Sequence, residues 1–398
     1  MAEPLLIVGG GIGGLAAALA SSRAGYAVQL FEQAPEFSEV GAGIQLGPNV
    51  TRILRAWGLL QAMADTAAFP SCLQARSALS AEVLASLPLD RHMQERYGAP
   101  YATMHRADLH ALLLQALRAS GLTDLRLNHA LQHVEQTTDE VHLRFANQPT
   151  GSGVGLIGAD GLWSRVREDL LDDGPPRLTG HMAFRALVRQ DRLPAALRSQ
   201  QVTVWLGPEL HVVQYPVRQG DWLNLVVIVH GQRERANPSN WDHLAHASEL
   251  RQILAGSCSA LTELVAAVEH WRLWMLCDRL PMRSAAEHAR GRVALLGDAA
   301  HPVRPYLAQG AGMAIEDAAA LGDCLALSGS DIPAAWQGYA QQRWQRNARV
   351  QARAMRQGTI FHARGPLRWA RDAALRLLGK HLIDQHWLYR AHSGRNES

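Results

Sequence analysis

The feature that most restricts what this chain can fold into lies near its start, in "LLIVGGGIGGLAAALASSRAGYAVQLFEQAP" from Leu5 to Pro35. Leu5–Val8 is a continuous apolar run, as expected of a strand buried on both faces. Gly9, Gly11 and Gly14 then set the spacing G-x-G-x-x-G, Ile12 to Arg23 has a helical pattern, and Ala27 to Phe31 is a second strand that ends at Glu32. Strand, glycine turn, helix, strand and acid in that order predict a βαβ unit that binds a dinucleotide. Gly9 permits the tight turn, Gly11 lets the backbone approach a pyrophosphate, and Gly14 lets the helix pack closely. Ile12 and Gly13 open the helix, whose free N–H groups and positive dipole end favour the phosphates. Glu32, followed by Gln33, stands where a carboxylate binds ribose hydroxyls. The unit alone does not separate FAD from NAD.

A length of 398 residues predicts two domains, or one domain with a large insertion. With 47% apolar and 19% charged residues the chain has the balance of a globular enzyme. A net charge of +3, carried mostly by arginine and without a Lys/Arg block, gives no footprint for nucleic acid. Cys72, Cys258, Cys277 and Cys324 lie far apart with no CxxC, which predicts reduced thiols rather than a disulfide framework or a metal site. The first residues lack a basic n-region and the apolar run is cut by glycines, so no signal peptide is expected. No uncharged apolar stretch is long enough to span a membrane, and a cytoplasmic protein is expected.

Two distant segments narrow the dinucleotide. Val154–Ile157 reads as a strand leading into "GADGLWSRVR" (Gly158–Arg167). "GRVALLGDAAHP" (Gly291–Pro302) is a strand ending in Gly297-Asp298, followed by "QGAG" (Gln309–Gly312) and a helical run from Met313 to Leu327. Together with the first motif, these segments resemble the three signatures of the single-component FAD-dependent aromatic hydroxylases, the group A flavoprotein monooxygenases. "GAGIQLGPNV" (Gly41–Val50), "HRADLHALLL" (His105–Leu114) and "WRLWMLCDRLP" (Trp271–Pro281) extend the resemblance. It is greatest to the branch holding 3-hydroxybenzoate 6-hydroxylase, salicylate hydroxylase and 6-hydroxynicotinate 3-monooxygenase. A flavin halogenase would need a Trp-x-Trp-x-Ile-Pro stretch and a catalytic lysine, and lysine is nearly absent.

The resemblance implies an α/β fold: a Rossmann-like FAD-binding domain of the glutathione-reductase type, an inserted antiparallel β-sheet substrate domain and C-terminal helices. The expected FAD-binding domain is discontinuous, 1–75, 100–180 and 275–330. The substrate domain takes 76–99 and 181–274, and a helical segment takes 331–398. As the resemblance implies, Glu32 holds the adenosine ribose, Arg106 reaches the pyrophosphate, and Gly297 and Asp298 meet the ribitol chain. Asp160 and Arg167 shape the region shared by FAD and the nicotinamide. Gly310, Ala311 and Gly312 start a helix whose N-terminus faces the flavin N1–C2=O edge. Gln45 and Pro305 join the cofactor-contacting set. No second G-x-G-x-x-G is present, so NADH or NADPH is expected to reduce the flavin transiently and leave.

"HMAFRALV", "QVTVWLG", "LHVVQYPV" and "WLNLVVIVH" alternate like strands of an antiparallel sheet, the expected floor of a substrate pocket. Trp241 to Val268 reads as helical, as does the chain from Ala334. Leu367 to Ile383 is amphipathic and basic; packing on its own domain or on a homodimer partner is expected in preference to a membrane surface. The implied reaction is ring hydroxylation with O2 through a flavin C4a-hydroperoxide. It requires a base or proton relay near a substrate hydroxyl and exclusion of water. His211, Gln214, Tyr215 and Tyr306 are the relay candidates, with His211 and Tyr215 on one face of their strand and Gln214 on the other. Arg304 and Arg185 are candidate anchors for a substrate carboxylate. Pro305 stands where the 3-hydroxybenzoate enzymes carry Gln, Tyr306 where the salicylate and hydroxynicotinate enzymes carry His, and Gln45 where the hydroxynicotinate enzymes carry His. Each branch is thus matched only in part; the resemblance as a whole implies a phenolic or carboxylated ring like 3-hydroxybenzoate or salicylate. A hydroxynicotinate-like ring or a quinone or lipid-like substrate is the alternative, and a non-catalytic flavin-binding protein the rival of another class.

Overall fold

Leu5–Val8 lies between Gly155–Gly158 and Val28–Phe31, parallel to both, at the centre of a six-stranded sheet in the computed structural model, which describes residues 3–37, 41–231 and 243–390. Thr123–Arg126 extends the sheet beyond Val28–Phe31, and Val293–Leu295 extends it beyond Gly155–Gly158, both in parallel. Ala289–Arg290 closes that edge antiparallel. The apolar run is buried because both faces of the sheet are covered. Leu5 and Ile7 pack with the helices Ile12–Arg23, Gly310–Ser328 and Ile332–Phe361, whereas Leu6 and Val8 pack with Phe31, Leu143 and Val166.

The second sheet has eight strands in the order His243–His246, His270–Asp278, Arg177–Arg189, Trp222–His230, Leu210–Val217, Val202–Gly207, Cys72–Ser77 and Val83–Pro88. All neighbours are antiparallel except Val202–Gly207 beside Cys72–Ser77. Alternation divides it cleanly. Leu210, Val212, Leu225 and Val227 face a core closed by the helices Ala247–Ile253 and Ser259–Ala266. His211, Val213, Tyr215, Val226 and Ile228 face the other way, toward the nucleotide-binding sheet. The α/β fold with an added antiparallel sheet and C-terminal helices is as expected. One element differs: residues 243–246, read as the start of a helix, are an edge strand paired with Trp271 and its neighbours. Ladder hydrogen bonds outweigh local preference there. Trp241 and Asp242, at the head of that expected helix, and 391–398 of the C-terminal segment lie outside the described residues.

The basic amphipathic stretch is two helices, Gly365–Leu378 and Lys380–Ile383, broken at Gly379, whose φ is +49°. The inner side of this pair packs on the protein's own sheet edge near Leu84 and Leu206. No helix among the described residues is long and apolar enough to cross a membrane.

A buried ionic network ties these parts together. Glu316 and Asp317 are adjacent on Gly310–Ser328, and Arg343 and Arg346 project from Ile332–Phe361. Arg346 donates to both Glu316 oxygens at 2.6 and 2.7 Å, and Arg343 donates to Glu316 at 2.8 Å and to Asp317 at 2.7 Å. Asn49 donates to Glu316 at 2.6 Å, and His301 and Asn347 donate to Asp317. Burial alone would raise the Glu316 carboxyl, yet Arg343 and Arg346 hold it at about 2. Asp317 is held well below the usual carboxylate range against the same burial, by His301 and Arg343. Removing one partner strands the others without water. Arg343→Met is therefore expected to destabilise the fold by about 3–5 kcal/mol, measured as a fall in urea midpoint. A change within experimental error would show that the network is not structurally necessary.

Candidate active site

Two helix N-termini open onto one cleft of about 340 Å³ between the sheets. The first belongs to Ile12–Arg23, where the N-cap is Gly11 and no side chain caps the first turn. The second belongs to Gly310–Ser328, whose N-cap Gln309 also makes no side-chain cap, with no acid in the first turn. Uncapped N–H groups at both ends leave donors and positive dipole ends for an anionic or electron-rich ligand. Gly11, Ile12, Gly13, Gln45, Arg106, Gly297, Asp298, Pro305, Gly310 and Ala311 line this cleft.

Local sterics explain two of the glycines. Gly9 has φ +107°, and a Cβ there would sit 2.3 Å from the Ala159 carbonyl oxygen. A Cβ on Gly14 would lie 1.8 Å from the Gly9 carbonyl oxygen, so only glycine lets the helix begin against its own turn. Glu32 receives the Gly10 N–H at 2.6 Å and the Ala34 N–H at 2.8 Å, which fixes its carboxylate at the end of the glycine loop. Gln33 is exposed beside it.

Asp160 and Arg167 are one step back from the cleft. Asp160 receives the N–H groups of Arg165 and Val166 and the Ser164 hydroxyl, and so starts the Arg165–Leu171 helix. Arg167 pairs with Asp173 and donates to the carbonyls of Ala299 and Ala300, bracing the loop that carries Asp298. Gly312 packs against Val50 rather than the cleft.

A second cavity, about 420 Å³, adjoins the first. The two share Gln45, Val213, Pro305 and Ala308. Its walls are the sheet face (Leu73, Ala75, Val204, Leu206), the 305–308 turn and the C-terminal helices (Leu367, Ala370, Ala374, Leu375). His211 and Tyr306 line this chamber, and Tyr215 lines the cleft side of the shared wall. Gln45 accepts from the Tyr101 hydroxyl at 2.6 Å and is also a partner of Tyr215. Gln214 lines neither cavity; it faces the opposite side of the sheet and accepts from Trp205 Nε1 at 3.0 Å. Arg304 and Arg185 border the cleft, not the chamber: Arg304 pairs with Asp278 at 2.6 Å, and Arg185 stacks over Trp274 at 4.9 Å.

His211 belongs to a cluster that the sequence did not announce. Its Nδ1 meets His362 Nε2 at 2.8 Å; His362 stacks on His181 at 4.9 Å; and His181 Nδ1 bonds the Tyr306 hydroxyl. Burial first, and nearby basic groups second, keep these rings neutral: His181 falls to about 4 with Arg304 and His230 adding to burial, His362 to about 3 beside His181 and His230, and His211 well below its ordinary value beside His362 and His181. Burial raises Tyr306. His211 Nε2 is buried and without a hydrogen-bond partner among the described residues. A neutral imidazole with an open lone pair beside an apolar chamber is a proton acceptor in waiting. His181 and His362 escaped the sequence because they come from Arg177–Arg189 and from the end of Ile332–Phe361, joined only by the fold.

Comparison with known proteins agrees with this geometry. A model of the FAD binding domain family matches residues 3–354. The 3-hydroxybenzoate 6-hydroxylase of Polaromonas naphthalenivorans is 36% identical over 93% of this chain and 90% of its own. The 6-hydroxynicotinate 3-monooxygenase of Bordetella bronchiseptica is 38% identical over 87% of this chain and 89% of its own. The crystal structure of Klebsiella pneumoniae HpxO with FAD and uric acid superposes with a TM-score of 0.85 at 27% identity, covering 97% of this chain and 96% of that one.

Two outcomes follow from the site. Gly14→Ala is expected to purify without stoichiometric flavin, as read from the visible spectrum, and full flavin content would refute the steric account. The unfolded chain takes up protons near pH 6.5 that His181 and His362 refuse until about pH 4 and 3. Stability is thus expected to fall as pH drops through that window. The double variant His181→Gln/His362→Gln should flatten the slope of Tm between pH 6.5 and 5; an unchanged slope would exclude these rings as its source.

Proposed function

The chain belongs to the FAD binding domain family, and from that premise we propose that this flavin monooxygenase hydroxylates a phenolic aromatic acid resembling 3-hydroxybenzoate. FAD is its cofactor, and NADH or NADPH supplies the electrons. The observation that carries the substrate reading is the wall shared by the two cavities. It sets a largely apolar chamber with a neutral histidine against the cleft into which both helix N-termini open.

FAD, when bound and reduced, supplies the activation of O2 for insertion of one oxygen atom into the ring. The chain's own part is positioning and proton handling. Gly11, Ile12, Gly13 and Arg106 would hold the pyrophosphate, Glu32 the adenosine ribose and Asp298 the ribitol. The Gly310–Ser328 N-terminus would face the electron-rich edge of the ring system. Asp160 and Arg167 would hold the loops that carry these contacts. Tyr215, Gln45 and Pro305 would border the substrate ring. His211 Nε2 would accept the proton of the ring hydroxyl while its Nδ1–H stays hydrogen-bonded to His362 Nε2. The anionic ring oxygen left opposite favours a charged imidazole, so the transfer creates its own stabilising partner. A ring oxygen bearing more negative charge makes the ring a better nucleophile. Leu367, Ala370, Ala374 and Leu375 give the chamber an aliphatic side, and a ring seated against it would limit water beside the reacting atoms.

A heteroaromatic ring is the second reading. It is favoured by the relative of that name, 38% identical over 87% of this chain. The test is oxidation of NADH and NADPH by the flavin-loaded protein with O2 uptake and H2O2 followed, across 3-hydroxybenzoate, salicylate, 6-hydroxynicotinate, 4-hydroxybenzoate and anthranilate. An accelerating ring without stoichiometric H2O2 identifies the substrate class, and no acceleration by any of them would refute the simple-phenol reading. With the accelerating ring, His211→Gln is expected to lower kcat/KM about 100-fold or more at unchanged flavin content. Undiminished kcat/KM would remove His211 from the proton path.

A further inference from the structure

The chamber is walled largely by aliphatic side chains, and Arg353 stands apart on it. It lies on Ile332–Phe361, half-buried, with Gln357 one turn further along the same helix and in the same wall. The helix is pinned there on both sides: Gln351 donates to the Pro302 carbonyl at 3.1 Å, and Gly358 meets the Tyr306 ring. Arg353 Nε is buried with no hydrogen-bond partner, and among the described residues its guanidinium pairs with no carboxylate. The neighbouring buried arginines have partners, whereas Arg349 and Arg356 on the same helix are exposed, Arg349 over the Trp387 ring. Arg371, in the same wall, pairs with Asp372 at 2.8 Å and donates to the carbonyls of Ile360 and Phe361. Arg346 is held by Glu316, and Arg304 and Arg177 share Asp278.

Leaving a guanidinium unpaired against apolar surface is costly, and a carboxylate is the group whose geometry its fork accepts bidentately. We propose that Arg353, with Gln357 beside it, receives the carboxylate of the aromatic acid bound in the chamber, and so sets which acids this enzyme accepts. The proposal rests on the hydroxylase reading above. It moves the anion contact from the cleft, where Arg304 is already paired, to the helix that closes the chamber. The ring then spans from this helix toward the wall shared with the cleft, where Val213 and Pro305 lie.

The test is calorimetric titration of the oxidised, flavin-loaded protein, without NAD(P)H, with 3-hydroxybenzoate, salicylate and 6-hydroxynicotinate and with the corresponding amides. Arg353→Met is expected to weaken binding of the acids by about 10- to 100-fold, the loss of one charge-assisted contact. Binding of the amides should be unchanged, and Arg353→Lys should recover part of the acid affinity. Among the described residues Arg353 has no ion-pair partner to strand, so flavin content and Tm of the variants should match the parent. Acids that bind the parent and Arg353→Met equally well would overturn the assignment of Arg353 alone. Equal weakening of acids and amides would make its role structural and overturn the assignment too. Failure of every acid to bind the parent would overturn the aromatic-acid reading itself, and this proposal with it.

Discussion

Two carboxylates on one helix, Glu316 and Asp317, meet two arginines on the next, Arg343 and Arg346, with all four side chains buried. Everything around the cleft is referred to this cluster. Asp317 takes the His301 imidazole and the Gly297 N–H, which sets the loop bearing Asp298 and Pro302. Glu316 takes Asn49, which also donates to Gln309, the N-cap of the same helix. Arg346 reaches on to the carbonyls of Trp387 and Leu388, fixing the C-terminal turn whose Tyr389 walls the chamber. Cleft and chamber are held in register by one set of charges that a purely apolar core could fill but not orient.

The division of labour between the cavities has an electrostatic logic. The cleft collects positive dipole ends and has Arg106, Arg185 and Arg304 on its rim, an environment for a dinucleotide. The chamber collects aliphatic surface around His211, whose imidazole burial keeps neutral, with Arg353 and Arg371 on its helical side. Positive dipole ends and aliphatic surface are thus sorted to either side of the shared wall. A reaction needing both an anionic cofactor and exclusion of water finds each on its own side.

Much of this was legible from local pattern. Leu5–Val8 and Ile12–Arg23 are bounded as the apolar run and the glycine spacing indicate, and Leu210–Val217 and Trp222–His230 as their alternation indicates. The opposed placing of His211 and Gln214 also followed from strand periodicity. What was not legible depends on long-range assembly. His181 and His362 are ordinary residues until the sheet and the last long helix meet. Asp160 and Arg167 carry a motif, yet the structure uses them to brace loops rather than to line the cleft. The strand at 243–246 exists because Trp271 and its neighbours offer an open edge. Arg353 sits in an arginine-rich helix whose sequence does not distinguish a paired cation from an unpaired one.

The strand order of the nucleotide-binding sheet bears on how the protein comes into being. Leu5–Val8 leaves the ribosome first, but its sheet is not complete until Val293–Leu295 arrives to pair with Gly155–Gly158. The eight-stranded sheet likewise leaves Cys72–Ser77 waiting for Val202–Gly207. Such distant pairings mean high contact order and slow, late closure. The second helix N-terminus at the cleft, at Gly310, emerges later still. A complete flavin cleft therefore waits on these distant segments, and until they arrive two sheet edges stand unpaired.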